Sequence, residues 1–202
     1  MVKKTISTEE KILEAAKTVF HRKGYEGARM QEIADEAGIN KALLHYYFRT
    51  KENLFDAVFR SAFQEIFTKL FSTIGSDVPL EEKLTNLIGT YIGFLQKNSY
   101  IPGFILNELS HNPEKIVEIF KTAPVPPSMI LKRMRKSLND EKMKKTDFRD
   151  LFINMLALCI FPIVARPMIQ HIFEFSDQEY DQFIENRKKE LPVFIMNAIR
   201  KK

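Results

Sequence analysis

The chain has 202 residues, of which 45% are hydrophobic and 28% charged, and this composition is typical of an ordinary globular protein with a sizeable core. Its formal net charge of +5 at pH 7 is compatible with a nucleic-acid partner but does not require one. A single cysteine, Cys159, excludes an intrachain disulfide and favours a reducing compartment.

The N-terminal segment MVKKTISTEEK lacks the apolar stretch of a signal peptide. The longest apolar run lies near residues 155–164, is interrupted by Pro162 and is too short to span a bilayer. We therefore expect a cytoplasmic protein without a membrane partner. The first 51 residues hold ten Lys and Arg against seven Asp and Glu, so over half of the basic excess lies in the first quarter of the chain.

Helical patterns begin near the N-terminus. Ser7 and Glu10 have the spacing of a capping box, which predicts a helix that starts there and ends near Gly24. Two short helices are predicted over residues 30–37 and 41–48, with Gly38 in the turn between them and Asn40 as the second N-cap. A fourth helix, capped by Thr50, is predicted to continue to about residue 73 through regularly spaced phenylalanines.

The remaining sequence predicts longer helices separated by clear breaks. The clearest break is APVPP at 123–127, and the charged segment at 140–146 is predicted to be a loop. Pro162 and Pro167 are expected to kink one long apolar helix, and Pro192 to bend or interrupt the last one, which a second capping box opens. No alternating strand pattern is present, so we predict an all-α fold with further helices at 80–97, 100–110, 113–121, 128–138, 147–175 and 177–199.

The front of the chain has the pattern of a helix-turn-helix, in which the second short helix enters the major groove. Ala34 is small enough for close helix approach, and Leu44 and Phe48 lie on one face for packing against the first helices. The opposite face of the second short helix then carries Lys41, Ala42, His45, Tyr46 and Tyr47.

The segment IADEAGI at 33–39, followed by LHYYF and TKENLF up to residue 55, resembles the DNA-binding region of TetR/AcrR-type transcriptional regulators. In motif detail the resemblance covers about residues 6–56. It implies a homodimeric repressor with an N-terminal helix-turn-helix domain and a larger C-terminal helical domain that binds an effector and dimerises. We place these domains at residues 1–51 and 52–202.

The resemblance also implies roles for individual residues. Lys41 is expected near a phosphate or a base edge, Tyr47 and Lys51 at phosphates, and Gln31 at a base edge. Free N–H groups at a helix N-terminus agree with an anion beside Lys51. Arg29, Leu43 and His45 depart from the residues usual at their positions, which leaves the operator sequence undefined.

Each of these side chains also has a plainer interpretation, as packing or as solvated surface. We favour DNA contact for His45, Tyr47, Lys41 and Lys51. For Tyr46, Arg29 and Gln31 both interpretations stay open. The predicted DNA-binding set is Arg29, Gln31, Lys41, Ala42, His45, Tyr46, Tyr47 and Lys51.

The C-terminal region is rich in Phe and Met, which at helical spacing build either a core or a pocket for an apolar ligand. Spacing does not separate the two, because a cavity is an absence of side chains. For any single residue we favour core, and the family resemblance implies a pocket somewhere among them. The candidate effector-pocket residues are Phe63, Phe67, Phe94, Phe104, Met134, Phe152 and Met155.

The last two helices hold more apolar residues than one helix pair needs to bury. We expect the same helices of a second subunit to cover the surplus in a two-fold dimer. The residues assigned to this surplus are Leu151, Met155, Leu158, Ile163, Ile169, Ile172, Phe173, Phe183, Val193, Phe194 and Ile195.

We therefore expect a DNA-binding repressor that a small apolar or amphipathic effector releases from a double-stranded operator. The alternative is a DNA-binding regulator without a small-molecule effector, either constitutive, protein-controlled or an activator. No nucleophile–base pair, phosphate loop or metal-ligand spacing is visible, so we expect neither an enzyme, a cofactor nor a metal site.

Overall fold

A computed structural model describes residues 7–123, 125–138 and 147–200. Within these ranges the chain forms helices and no strand, which confirms the predicted all-α fold. The helices are α1 (Thr8–Gly27), α2 (Met30–Glu36), α3 (Lys41–Tyr47), α4 (Lys51–Gly75), α5 (Leu80–Lys97), α6 (Tyr100–His111), α7 (Pro113–Lys121), α8 (Pro127–Leu138), α9 (Phe148–Val164), α10 (Arg166–Phe173) and α11 (Asp177–Ile199).

The helix starts follow the capping residues of the sequence. Both predicted capping boxes are present, at Ser7–Glu10 and Ser176–Glu179. The side chains of Asn40 and Thr50 accept hydrogen bonds from the backbone N–H groups three residues on, at 2.7 and 3.1 Å. These bonds satisfy N–H groups that have no partner within the helix.

The first three helices pack around a small core of fully buried side chains, among them Ile12, Ile33 and Leu44. Gly38 turns the chain between α2 and α3 with φ +67°, a conformation that side chains with a Cβ rarely adopt. The following residue, Ile39, donates its N–H to the carbonyl of Ala34 at 3.0 Å. We call α1–α3 the head and α5–α11 the body.

Helix α4 connects the two parts, since it packs against α1 in the head and against α5 and α8 in the body. It has 25 residues, which corresponds to about 37 Å at 1.5 Å per residue. In the body, α5 lies between α4, α9 and α11, and α6 packs against α1, α7 and α9. The head is therefore attached through packed helices.

The kink predicted for the long apolar helix over 147–175 is present, since α9 and α10 meet at Ala165, between Pro162 and Pro167, with an angle of 72°. Pro162 has no N–H to donate to the carbonyl of Leu158, four residues earlier. Arg187 of α11 supplies the missing donors, with Nη2 at 2.9 Å and Nε at 3.2 Å from that oxygen. The proline is thus accommodated by a bond from a neighbouring helix.

The predicted helix end near Gly24 corresponds to a kink in α1, because Gly24 is non-helical with φ 68°, and a short helical segment follows it to Gly27. The last helix runs through Pro192 to Ile199 without interruption. The predicted loop at 140–146 lies outside the described residues.

No single helix within the described ranges is long and apolar enough to cross a membrane. The α9–α10 pair reaches the required length and composition only when the two bent helices are taken together.

Candidate DNA-binding surface and apolar cavity

Helix α3 presents an exposed face opposite its buried residues. Leu44 and Phe48 are buried against the head, as expected from their spacing. The side chains of Lys41, Ala42 and His45 lie on the exposed part of the same helix. A helix of this kind, held by a second helix behind it, has the geometry that enters a major groove.

Among the described residues, Tyr46 is the most exposed large apolar or aromatic side chain, at 81%, and Tyr47 is exposed at 40%. Their rings meet edge to face with centroids 5.5 Å apart. Of the two interpretations left open for Tyr46, packing in the head is therefore excluded. Both phenol groups stand in solvent, where they can donate to phosphate oxygens.

His45 is fixed to the backbone on one side of its ring. Its Nδ1 lies 3.1 Å from the carbonyl oxygen of Arg49, and since a carbonyl only accepts, Nδ1 must carry the proton. In the neutral ring Nε2 is then an acceptor, suited to a base amino group. A phosphate oxygen offers no proton to Nε2, so His45 binds phosphate only when its ring is charged.

The cations of the head fall into two groups. Arg22 and Lys23 of α1 form ion pairs with Glu36 and Glu32 of α2. By contrast, Arg29, Lys41 and Arg49 form no ion pair with any residue in the described ranges. Arg29 precedes α2, Lys41 begins α3 and Arg49 follows α3. These three cations are therefore available to bind phosphate.

Gln31 of α2 is exposed, and its amide nitrogen donates to Asp35 Oδ1 at 2.8 Å. Arg29 is the N-cap of α2 and makes no side-chain capping bond. The structure thus places both residues at the start of α2 and leaves the Gln31 amide oxygen open as an acceptor. Their contacts with DNA remain predictions.

The structure gives Lys51 a role that its position in the sequence does not show. Its Nζ donates to the carbonyl oxygens of Tyr25, Ala28 and Glu26 at 2.9, 3.3 and 3.4 Å. It also lies 4.5 Å from the centre of the Tyr25 ring. These carbonyls close the C-terminal end of α1, so Lys51 holds the start of α4 against the head. The phosphate contact of Lys51 stays a prediction.

An apolar cavity of about 450 Å³ lies in the body, within the range of small-molecule sites. Helices α4–α9 all contribute to its wall. Leu106 and Leu109 of α6 line it while about half exposed, which places its opening beside α6. The wall consists of Phe63, Ile66, Phe67, Leu70, Ile74, Leu87, Ile88, Tyr91, Phe94, Leu95, Ile101, Pro102, Ile105, Leu106, Leu109, Ile116, Phe120, Pro127, Ile130, Leu131, Met134, Phe152, Met155, Leu156, Cys159 and Ile160.

Six of the seven candidate pocket residues line this cavity, and Phe104 does not. The Phe104 ring lies 4.2 Å from the Phe55 ring and 5.8 Å from the Tyr25 ring, so it belongs to the junction between head and body. Of the α5 residues that line the cavity, sequence reasoning named Phe94 and missed the others, including Tyr91. The apolar spacing of α5 indicates a buried face but does not say whether that face meets a neighbour or a cavity.

Two lining residues carry polar atoms. Burial raises the pKa of the Cys159 thiol to about 12 and also raises the pKa of the Tyr91 phenol well above its ordinary value. Both side chains are therefore neutral at physiological pH.

A second, more open cleft of about 600 Å³ lies between head and body. Its wall mixes apolar groups with charged groups of both signs, including Lys23, Glu26, Arg166 and Asp181. Although this cleft is larger, such a wall lacks the apolar enclosure of a small-molecule site. The cavity in the body is the better candidate.

The last helices leave a strip of apolar side chains uncovered. Several residues expected to be surplus, such as Leu151, Met155, Ile163, Ile169 and Ile195, are buried in the chain's own core, so the expected set is partly wrong. Other apolar side chains of α9, α10 and α11 are exposed instead. The exposed strip consists of Ile153, Phe161, Val164, Met168, Ile172, Phe173, Val193 and Phe194, each at least 41% exposed.

The exposed face of α3, the turn at Gly38 and the unpaired cations define a helix-turn-helix DNA-binding protein. Residues 12–58 match the family model described as bacterial regulatory proteins, tetR family. The probable HTH-type transcriptional regulator YttP of Bacillus subtilis is 24% identical, with 96% of this chain and 95% of that protein covered. The biofilm operon icaADBC HTH-type negative transcriptional regulator IcaR of Staphylococcus aureus is also 24% identical, covering 93% and 98%.

Among solved structures, the ketosteroid transcriptional regulator KstR2 of Mycobacterium tuberculosis superimposes with a TM-score of 0.69 at 16% identity, covering 98% of each chain. The resemblance to TetR-type transcriptional regulators found in the sequence is confirmed by the match of residues 12–58 and by relatives of similar length that are named HTH-type regulators. These relatives are regulators, which confirms the expectation that the chain is not an enzyme.

Lys41→Met and Lys51→Met remove the same charge from two positions with different surroundings. We expect Lys41→Met to leave the melting temperature unchanged, to weaken binding to every DNA sequence and to reduce the salt slope by about one. We expect Lys51→Met to lower the free energy of unfolding by about 1–3 kcal/mol, because three carbonyls lose their donor. Thermal melts and DNA titrations at several salt concentrations measure both effects. An unchanged melting temperature together with weakened DNA binding in Lys51→Met would contradict the structural role.

Proposed function

We propose that the protein is a homodimeric repressor that leaves its operator when a small apolar molecule fills the cavity in the body. The observation that carries this proposal is that α4 extends from the head to the wall of the cavity. Its first residue, Lys51, is bonded to the head, and Phe63 and Phe67 of the same helix line the cavity. One helix therefore connects the DNA-binding surface with the candidate ligand site.

The repressing role is supported by the name of one relative, since IcaR is described as a negative regulator of an operon. In this chain the proposed DNA contacts are Arg29, Gln31, Lys41, Ala42, His45, Tyr46 and Tyr47. The cations position the head on phosphates and Gln31 and His45 read base edges. Lys51 keeps the α3 surface in place through its bonds to α1.

The proposed dimer interface is the exposed strip on α9, α10 and α11. Its side chains are large, uncharged and either aliphatic or aromatic. The centre of a stable protein interface has the same character, since charged residues are depleted there. A two-fold axis at this strip brings two heads to one side of the molecule. They would then reach half-sites one helical turn, or a multiple of it, apart.

A second connection between cavity and head runs through α7. Ile116 and Phe120 of this helix line the cavity. The adjacent Lys115, whose side chain is 15% exposed, lies 3.0 Å from the carboxylates of both Glu52 and Asp56 in the first turns of α4. Burial alone lowers the pKa of Lys115, but the bonds to these two carboxylates outweigh it and leave the pKa raised. The ammonium is therefore charged and paired.

Release then follows as a shift between two conformations. A ligand that displaces α7 or the cavity side of α4 moves the first turns of α4, to which the head is bonded. A coupling free energy of about 1–3 kcal/mol suffices for a several-fold to hundred-fold loss of DNA affinity. The proposed boundary between the DNA-binding domain and the effector-binding domain, between residues 51 and 52, thus lies at the start of α4.

The alternative of a regulator without a small-molecule effector predicts a filled core. A cavity of about 450 Å³ removes dispersion contacts that a filled core would keep, and such a loss is costly. This favours a ligand-responsive regulator.

Sequencing of the DNA fragments that the protein retains tests the DNA-binding part of the proposal. We expect pseudo-palindromic sites with half-sites about 10 base pairs or a multiple apart. The double variant Phe161→Asp, Phe194→Asp should sediment as a monomer and bind such sites at least about tenfold more weakly, because charges then face each other across the interface. Val117→Asp, at a half-exposed residue outside the strip, is the control. A dimer that survives the double substitution would contradict the assigned interface.

Lys115→Met tests the coupling through α7. Methyl decanoate, an uncharged ester with a hydrocarbon chain, serves as the probe, and DNA affinity is measured with and without it. We expect the probe to weaken DNA binding of the unmodified protein and this effect to shrink at least about threefold in Lys115→Met, while probe affinity is unchanged. Lys121→Met, at an exposed lysine of the same helix, should behave like the unmodified protein. Equal loss of DNA affinity in all three proteins would exclude a role for Lys115.

A further inference from the structure

The described residues that line the cavity carry no charge. Among its described residues none is Lys, Arg, His, Asp or Glu, and none carries a side-chain amide or an aliphatic hydroxyl. An ionised group inside such a wall loses its hydration and gains no partner. The part of a ligand that enters this cavity must therefore be neutral.

Cations on the surrounding helices are directed elsewhere. Lys115 is paired with Glu52 and Asp56, the Arg133 guanidinium lies 3.9 Å from the centre of the Phe71 ring, and Arg187 donates to the Leu158 carbonyl. The exposed cations of α8 are on its outer side, since Ile130 and Met134 are the residues it turns into the cavity.

The opening lies beside Leu106 and Leu109, and the described residues that line the cavity there include no cation. A carboxylate headgroup left at the opening therefore has no positively charged partner in the wall.

Among the described residues of the wall, Tyr91 is the one that can donate a strong hydrogen bond. It lines the cavity, and its hydroxyl has no hydrogen bond to any residue within the described ranges. A ligand oxygen that accepts from this hydroxyl would supply the one partner that the apolar wall around it does not offer. Cys159, also on the wall, adds a weak donor.

We propose that the cavity binds an uncharged, lipid-like molecule with one oxygen acceptor, such as an ester, ketone or alcohol, which accepts a hydrogen bond from Tyr91. Ionised fatty acids and amines of the same length are excluded. This inference rests on the proposed function only in taking the cavity for a ligand site, and it defines what that site selects.

The absence of tryptophan from the chain provides a clean reporter. Leu109→Trp places a single indole at the opening, where the native side chain is half exposed, so the substitution leaves the interior unfilled. Its fluorescence is titrated at pH 7.5 with methyl decanoate, decanoate and decylamine, which share chain length and differ in charge. We expect saturable binding of the ester, and binding at least about tenfold weaker for both ions.

Tyr91→Phe in the same reporter background tests the hydrogen bond and keeps the ring that fills the wall. Methyl decanoate should bind roughly three- to tenfold more weakly, as expected for one hydrogen bond. Decane, which has no acceptor, should bind the two proteins equally. Equal ester affinity in both proteins would refute the role of Tyr91, and circular dichroism establishes that the variant is folded.

The outcomes separate this inference from the proposed function. Binding of decanoate as tight as that of the ester, or no binding of any probe, would overturn the assignment of an uncharged ligand. Binding of the ester without any change in DNA affinity would confirm the assigned site and contradict the effector function.

Discussion

The continuous packing of aromatic rings along α4 is the interaction on which the arrangement of head and body depends. Phe55, Phe59, Phe63 and Phe67 recur every four residues on one face, with successive ring centres 6.2, 4.5 and 5.4 Å apart. At the head end Phe55 lies 4.9 Å from both Phe20 and Tyr25, and at the cavity end Phe63 lies 5.3 Å from Phe120. Because packed side chains interdigitate with few voids, a displacement at one end requires rearrangement along the row.

Polar bonds fix the same helix where the rings alone would allow sliding. Lys51 bonds its first turn to the carbonyls of α1, and Lys115 bonds Glu52 and Asp56 to α7. Both lysine contacts involve the first turns of α4, one at Lys51 itself and the other at Glu52 and Asp56. Lys51 attaches the start of α4 to the head, whereas Lys115 belongs to a helix that also touches the cavity. In the proposed mechanism, the Lys115 contact is therefore the one that a ligand changes.

Much of the fold could be predicted because it depends on local signals. Capping residues and helical spacing located the helix starts, and the buried pair Leu44 and Phe48 fixed which face of α3 is free. The remainder depends on distant contacts. Lys51 binds carbonyls 23 to 26 residues away, and the Leu158 carbonyl left without a donor by Pro162 is bound by Arg187 from another helix. The same holds for Phe104, whose apolar character fits a cavity wall and a packed junction equally well.

The central claim is that filling the cavity repositions the recognition helices. The separation between the two α3 helices of a dimer tests it most directly, by electron double resonance on spin labels attached through Ala42→Cys in a Cys159→Ala background. Ala42 lies on the exposed face of α3, so the label leaves the core intact. The account predicts that saturating methyl decanoate shifts the distance distribution and lowers DNA affinity over the same concentration range. An unchanged distribution at saturating, directly measured occupancy of the cavity would contradict it.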